Sequence, residues 1–226
     1  MVSPTDQSSQ RRSGKSGERK GRAGSRRAPL DETSLRDLAL SYAARFATTG
    51  AKLEAYLARK IRERGVAEDE DGRVRELGVT ALVTRLIELG YVDDDAYARM
   101  KSRDLSARGY GARRIEQALW AAGVDEQARE DHAPGEAARR RAAMLMARKR
   151  RFGPYARSET EEGELSARGE PAPPETDPAK REKQIAAMLR AGHDYDHVRF
   201  VVGACERAVV EEWLEEAQAE EENSER

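Results

Sequence analysis

From Thr33 to Gly123, apolar residues recur at intervals of three and four and are punctuated by glycines, which predicts short amphipathic helices. Leu35, Leu38, Tyr42 and Phe46 share one face behind a capping-box-like start, Ser34 followed by Asp37. A second helix presents Leu53, Tyr56, Leu57 and Ile61 and runs on to Gly65. A third presents Val79, Leu82, Val83 and Leu86 and stops at Gly90, where a left-handed cap suits glycine. Asp93, Asp94 and Asp95 open a fourth, carrying Tyr97 and Met100. A fifth runs from Gly111 through Ile115 and Leu119 to Gly123. None of these lengths is stable alone in water, so each helix must pack on its neighbours.

The pattern repeats. Leu53 and Leu57 reappear as Ile115 and Leu119, 62 residues later, and again as Ile185 and Met188 before Gly192. Each is followed by a further amphipathic segment, the last being Val198, Val201, Val202, Cys205 and Val209. The expected fold is all-α: three tandem three-helix repeats in an elongated, curved, solenoid-like body. The repeats fall at 31–92, 93–135 and 136–210. The third is interrupted by a flexible Pro- and Glu-rich loop at 153–178, after which Asp177-Pro178 restarts the helix.

Composition sharpens this picture. Leu, Ile, Val and Phe make up 35 of the 226 residues, which implies a thin core, and 36 alanines favour helix. Net charge is −1, with 41 Lys and Arg against 42 Asp and Glu, yet the charges are segregated. Residues 1–30 carry eight basic and two acidic side chains and read as a disordered basic arm. Residues 133–158 carry eight against one, 159–178 one against seven, and the acidic tail 211–226 one against eight. Such segregation implies an electrostatic partner or internal masking.

Several chemistries lack the residues they need. There is no Gly-rich phosphate loop, no apolar run of membrane-spanning length and no opening signal segment, so the expectation is a cytoplasmic, monomeric protein with no membrane, no cofactor and no catalysis. The Asp93–Asp95 trio suits a helix cap better than a metal, because adjacent side chains at a helix start diverge. His193 and His197 stand four apart with no fourth ligand, Asp194 is read as the cap of the next helix, and Cys205 falls on an apolar stripe, so zinc and nucleophile are both poorly supported. The stronger candidate is a basic helix. Arg139, Arg140, Arg141, Arg148, Lys149, Arg150 and Arg151 surround Ala138, Ala142, Leu145 and Met146, which would place the cations outward. Arg103, Arg108, Arg113 and Arg114 could extend that stripe. A solvated face and a contact with acidic protein or nucleic-acid phosphate both fit this layout.

Two strings carry a specific resemblance. Leu89-Gly90-Tyr91-Val92-Asp93-Asp94-Asp95-Ala96-Tyr97-Ala98, followed by Arg108-Gly109-Tyr110-Gly111-Ala112-Arg113-Arg114-Ile115, resembles the RecX family of bacterial recombinase regulators over residues 34–210. On the residues alone the strings are joints: Gly90 ends a helix, Tyr91 and Val92 pack onto the core, and Gly109 and Gly111 allow tight turns. The resemblance implies a negative regulator that lodges in the groove of the RecA filament on single-stranded DNA. It would limit extension, ATP hydrolysis, strand exchange and coprotease activity without catalysis of its own. The partners implied are the RecA filament and single-stranded DNA; the alternative is a stand-alone helical nucleic-acid-binding protein.

Overall fold

The computed structural model describes residues 28–69, 71–74, 76–156 and 177–224. Residues 1–27 of the expected arm and 157–176 of the expected loop lie outside these. The described residues hold ten α-helices and no strand, only isolated bridges such as Leu30 to Val66. Unit 1 contains α1 (Glu32–Ala43), α2 (Gly50–Arg64) and α3 (Val79–Glu88). Unit 2 contains α4 (Asp94–Ala107), α5 (Ala112–Trp120) and α6 (Glu126–Asp131). Unit 3 contains α7 (Glu136–Arg150), α8 (Pro178–Arg190) and α9 (Tyr195–Gly203), with α10 (Arg207–Ser224) added.

Each unit closes around its own hydrophobic cluster. Leu35, Leu53, Leu57, Val83 and Leu86 centre the first, joined by Leu30. Tyr97, Leu105, Ile115, Leu119 and Val124 centre the second. The third gathers Met146, Met188, Val198, Val201 and Val210. The helix starts are built from short side chains that accept from the first free N–H groups. Asp31 and Ser34 form a reciprocal capping box on α1, one turn earlier than the Ser34–Asp37 pair suggests. Asp93, Asp125 and Asp177 cap α4, α6 and α8.

The units are joined end to end through their middle helices. The N-terminus of α2 meets the end of α5: the Thr49 hydroxyl donates to the Ala122 carbonyl at 2.5 Å, and the Gly50 N–H donates to Asp94 Oδ1 at 2.9 Å. Burial raises the Asp94 carboxyl above its usual range, more than the Gly50 N–H lowers it. The 62-residue offset carries this joint onto the next. Gly111 and Arg113, at the start of α5, donate backbone N–H groups to the carbonyls of Ala191 and Gly192 at 3.0 and 3.1 Å. Gly111 therefore needs no side-chain cap, and has none. At this second joint, carbonyls orphaned at the end of α8 meet N–H groups orphaned at the start of α5. The approach leaves no room for Cβ atoms: one on Gly111 would strike the Gly192 backbone, and one on Gly192 the Arg114 backbone.

Several expectations are corrected. The acidic residues 211–224 are not a free tail but part of α10, which buries Val210, Leu214 and Ala217. Residues 153–156 are not loop: Gly153–Tyr155 form a single docked turn with Gly153 and Tyr155 buried. The stripe from Val198 to Val209 is two helices, because the chain turns extended at Ala204. Cys205 is thus exposed in a linker, and Val210 takes the buried place in α10. Tyr91 is 58% exposed, and only Val92 packs inward. His193, set aside as a zinc ligand, is buried at 2% accessibility, with Nε2 donating to the Gly109 carbonyl at 3.1 Å across the second joint.

Two measurements test the joints. Gly192 has φ +90°, so Gly192→Ala adds left-handed strain of about 1–2 kcal/mol, besides the clash with Arg114. Urea unfolding should show that loss together with a broadened or split transition, as unit 3 uncouples from unit 2. Burial also holds the His193 ring below its ordinary pKa, so the unfolded chain binds more protons than the folded one below about pH 6.5. Its contribution is complete above that pH and is lost as pH falls. The pH dependence of stability on the acid side should be shallower in His193→Asn than in the parent.

Candidate partner-binding groove

Three consecutive arginines on α7 face three directions, because successive helical positions are about 100° apart. Arg139 donates to the Pro134 carbonyl at 2.9 Å and lies 4.0 Å from Asp194. Arg140 is drawn inward. It bonds Glu136 at 2.8 Å and the Trp213 carbonyl at 2.6 Å, and its guanidinium sits 4.7 Å from the Trp213 ring centre. Arg141 is exposed and has no ion-pair partner among the described residues. The expectation that all seven cations face outward therefore fails at Arg140, whose guanidinium helps dock α10.

Arg141 instead lines a groove of about 440 Å³ between α4 and α7. Arg99 and Arg103, one turn apart on α4, face it from the opposite wall. Neither has an ion-pair partner among the described residues. Ala107, Ala138 and Leu145 supply apolar lining. The wall is held by Ser102, whose hydroxyl donates to the His132 carbonyl at 2.7 Å, while the His132 ring meets Asp95 at 2.6 Å. Asp93, Asp94 and Asp95 thus do three separate jobs, capping α4, clasping α2 and fixing His132. Among the described residues no His, Cys, Asp and Glu group is arranged to hold a metal ion.

Of the expected site residues only Arg103 and Arg141 line this groove; the others lie elsewhere and are not all free. Arg148, Lys149, Arg150 and Arg151 are exposed at the end of α7, where cations suit the helix dipole. Arg151 ends that helix with φ 58°, a place glycine usually takes. Arg108 pairs with Asp104 at 3.1 Å, and Arg113 lies 3.8 Å from Asp194. Arg114 is exposed at the second joint. Asp194, expected to cap α9, makes no side-chain cap bond; its carboxylate faces Arg113, Arg139 and His197. Glu136 closes the network with His197 at 3.0 Å. Burial raises its carboxyl, but bonds from Arg140 and His197 outweigh that and hold it below the usual carboxylate range. The sequence reading missed Arg99, although its spacing from Arg103 was a usable signal.

A family model of the second three-helix domain of RecX matches residues 93–131, the helices that carry the α4 wall. The regulatory protein RecX of Myxococcus xanthus (strain DK1622) is 30% identical over 177 residues, 76% of this chain and 86% of that protein. The chain belongs to the RecX family. The crystal structure of RecX from Lactobacillus salivarius shares the fold with a TM-score of 0.50 at 19% identity, covering 75% of this chain and 93% of that one. Membership makes this a regulatory protein of all-α repeat architecture, and none of its described helices is long and apolar enough to cross a membrane.

The two arginines should separate cleanly on substitution. Arg140→Gln leaves partly buried Glu136 with His197 as its remaining partner and loosens Trp213, and should cost about 1–3 kcal/mol in chemical denaturation. Arg141→Gln should stay within about 0.5 kcal/mol, as an exposed change does. Equal losses in both would mean that Arg141 has a structural partner.

Proposed function

We propose that the protein is a negative regulator of RecA recombinase, acting by stoichiometric binding in the groove of the nucleoprotein filament on single-stranded DNA. It opposes filament extension and with it ATP hydrolysis, strand exchange and coprotease activity, in a bacterial cytoplasm and without catalysis of its own. Kinship with regulatory RecX over three quarters of the chain is the observation that carries this reading. The body suits the role: rigid three-helix units joined in a row present separate faces to successive subunits of a helical partner. Unpaired arginines between α4 and α7 supply charge for an acidic protein surface.

The direct test adds purified protein to RecA assembled on single-stranded DNA and follows ATP hydrolysis. The rate should fall with increasing protein, whereas the protein alone should hydrolyse nothing. Intrinsic turnover surviving purification, or an unaffected filament, would reject the reading.

A second reading, direct binding of nucleic acid, is favoured by one feature, the exposed Arg148, Lys149, Arg150 and Arg151 at the end of α7. If these meet phosphates, replacing all four with Gln should make the log–log salt dependence of single-strand binding shallower by up to about 3 units, at roughly 0.7 per phosphate. An unchanged slope assigns these cations to solvent or to protein.

A further inference from the structure

One face of α7 already holds an acidic amphipathic helix. On α10, Leu214 and Ala217 are buried and Trp213 packs against the unit 3 cluster. Its acids then reach the α7 backbone and side chains: Glu216 lies 3.9 Å from Arg140, and Glu221 accepts the Ala137 N–H at 2.9 Å, at the positive end of the α7 dipole. Along α7 that face runs through the small Ala137 and through Arg140, with the larger apolar Met144 one turn on, packed against the same unit 3 cluster.

One residue further round, the same series recurs as Ala138, Arg141 and Leu145, and there it lines the open groove. Arg99 and Arg103 on α4 add two cations to Arg141 on this side. We propose that the α4–α7 groove receives an acidic amphipathic segment of the partner protein, bound as α10 is bound on the neighbouring face. Apolar side chains of that segment settle on Ala107, Ala138 and Leu145, while its carboxylates pair with Arg99, Arg103 and Arg141. A nucleic acid fits less well. Among the described residues no Phe, Tyr or Trp lines the groove for base stacking, the His132 ring is held by Asp95, and Asp131 adds a negative charge to the lining. The proposal rests on the reading that the partner is a protein.

The molecule supplies its own probe. A synthetic peptide of residues Arg207–Ser224 has the required acids and apolar stripe, and can be titrated into the full chain while backbone amide signals are followed by NMR. Saturable shifts are expected at Arg99, Arg103, Ala138 and Leu145. The R99Q/R103Q/R141Q variant should bind about tenfold more weakly with unchanged helicity, and the corresponding Lys variant should retain most of the affinity. Shifts confined to the surroundings of Trp213 would mean exchange with the resident α10 and would overturn the proposal, as would the absence of saturable binding. So would an oligothymidylate that occupies the same amides more tightly than the peptide, since the groove would then be a phosphate site. No recombinase enters this measurement, so its failure and that of the ATP-hydrolysis test are separable.

Discussion

The architecture depends on helix ends satisfying one another. A short helix leaves donors at one terminus and acceptors at the other, and three units with small separate cores have little apolar surface to spend on joining. Here the start of α5 takes the end of α8, and the start of α2 takes the end of α5, so the middle helices run as a spine. At the second joint the bonds run directly from backbone to backbone, which is why Gly111 and Gly192 stand at the contact, whereas at the first the Thr49 hydroxyl and Asp94 carboxylate bridge the gap. Everything at the surface, including the groove, inherits its geometry from that spacing, because α4 and α7 belong to different units.

The role of the second joint extends to charge. Asp194 sits one residue beyond the buried His193 and gathers Arg113, Arg139 and His197 from α5, α7 and α9. Cations that look like a binding stripe in one dimension are partly consumed there. The contrast between Arg140, held by Glu136 and Trp213, and Arg141, held by nothing described, shows how far neighbouring positions on one helix can differ in function. A rotation of about 100° decides whether an arginine is internal scaffold or available surface.

Much of this was legible in the residues. Apolar spacing located α2, α3, α4, α5 and α8, and the left-handed glycines Gly65, Gly90 and Gly123 mark helix ends where a turn was expected. The families of helices were visible because each joint reuses the same glycine grammar. What was hidden depends on partners distant in sequence. The acids of 211–224 have the composition of a solvated tail, and only Val210, Leu214 and Ala217, matched to the α7 face, turn them into a docked helix. Cys205 fits a continuous stripe until Ala204 leaves the helix. Arg99 and Arg141 are unremarkable separately; they share a groove only once α4 is laid beside α7.

The spine also has to stop. At the outer end of α2, the Leu30 N–H already takes the Gly65 carbonyl at 2.9 Å, and Arg64 holds the Ala28 carbonyl at 2.8 Å. At the outer end of α8, Pro178 has no N–H to offer, and Asp177 accepts from Ala179. The two termini that a second copy would need for stacking are thus spent on the chain's own residues. The head-to-tail pattern that joins the units is closed at both of its described ends by residues of the same chain.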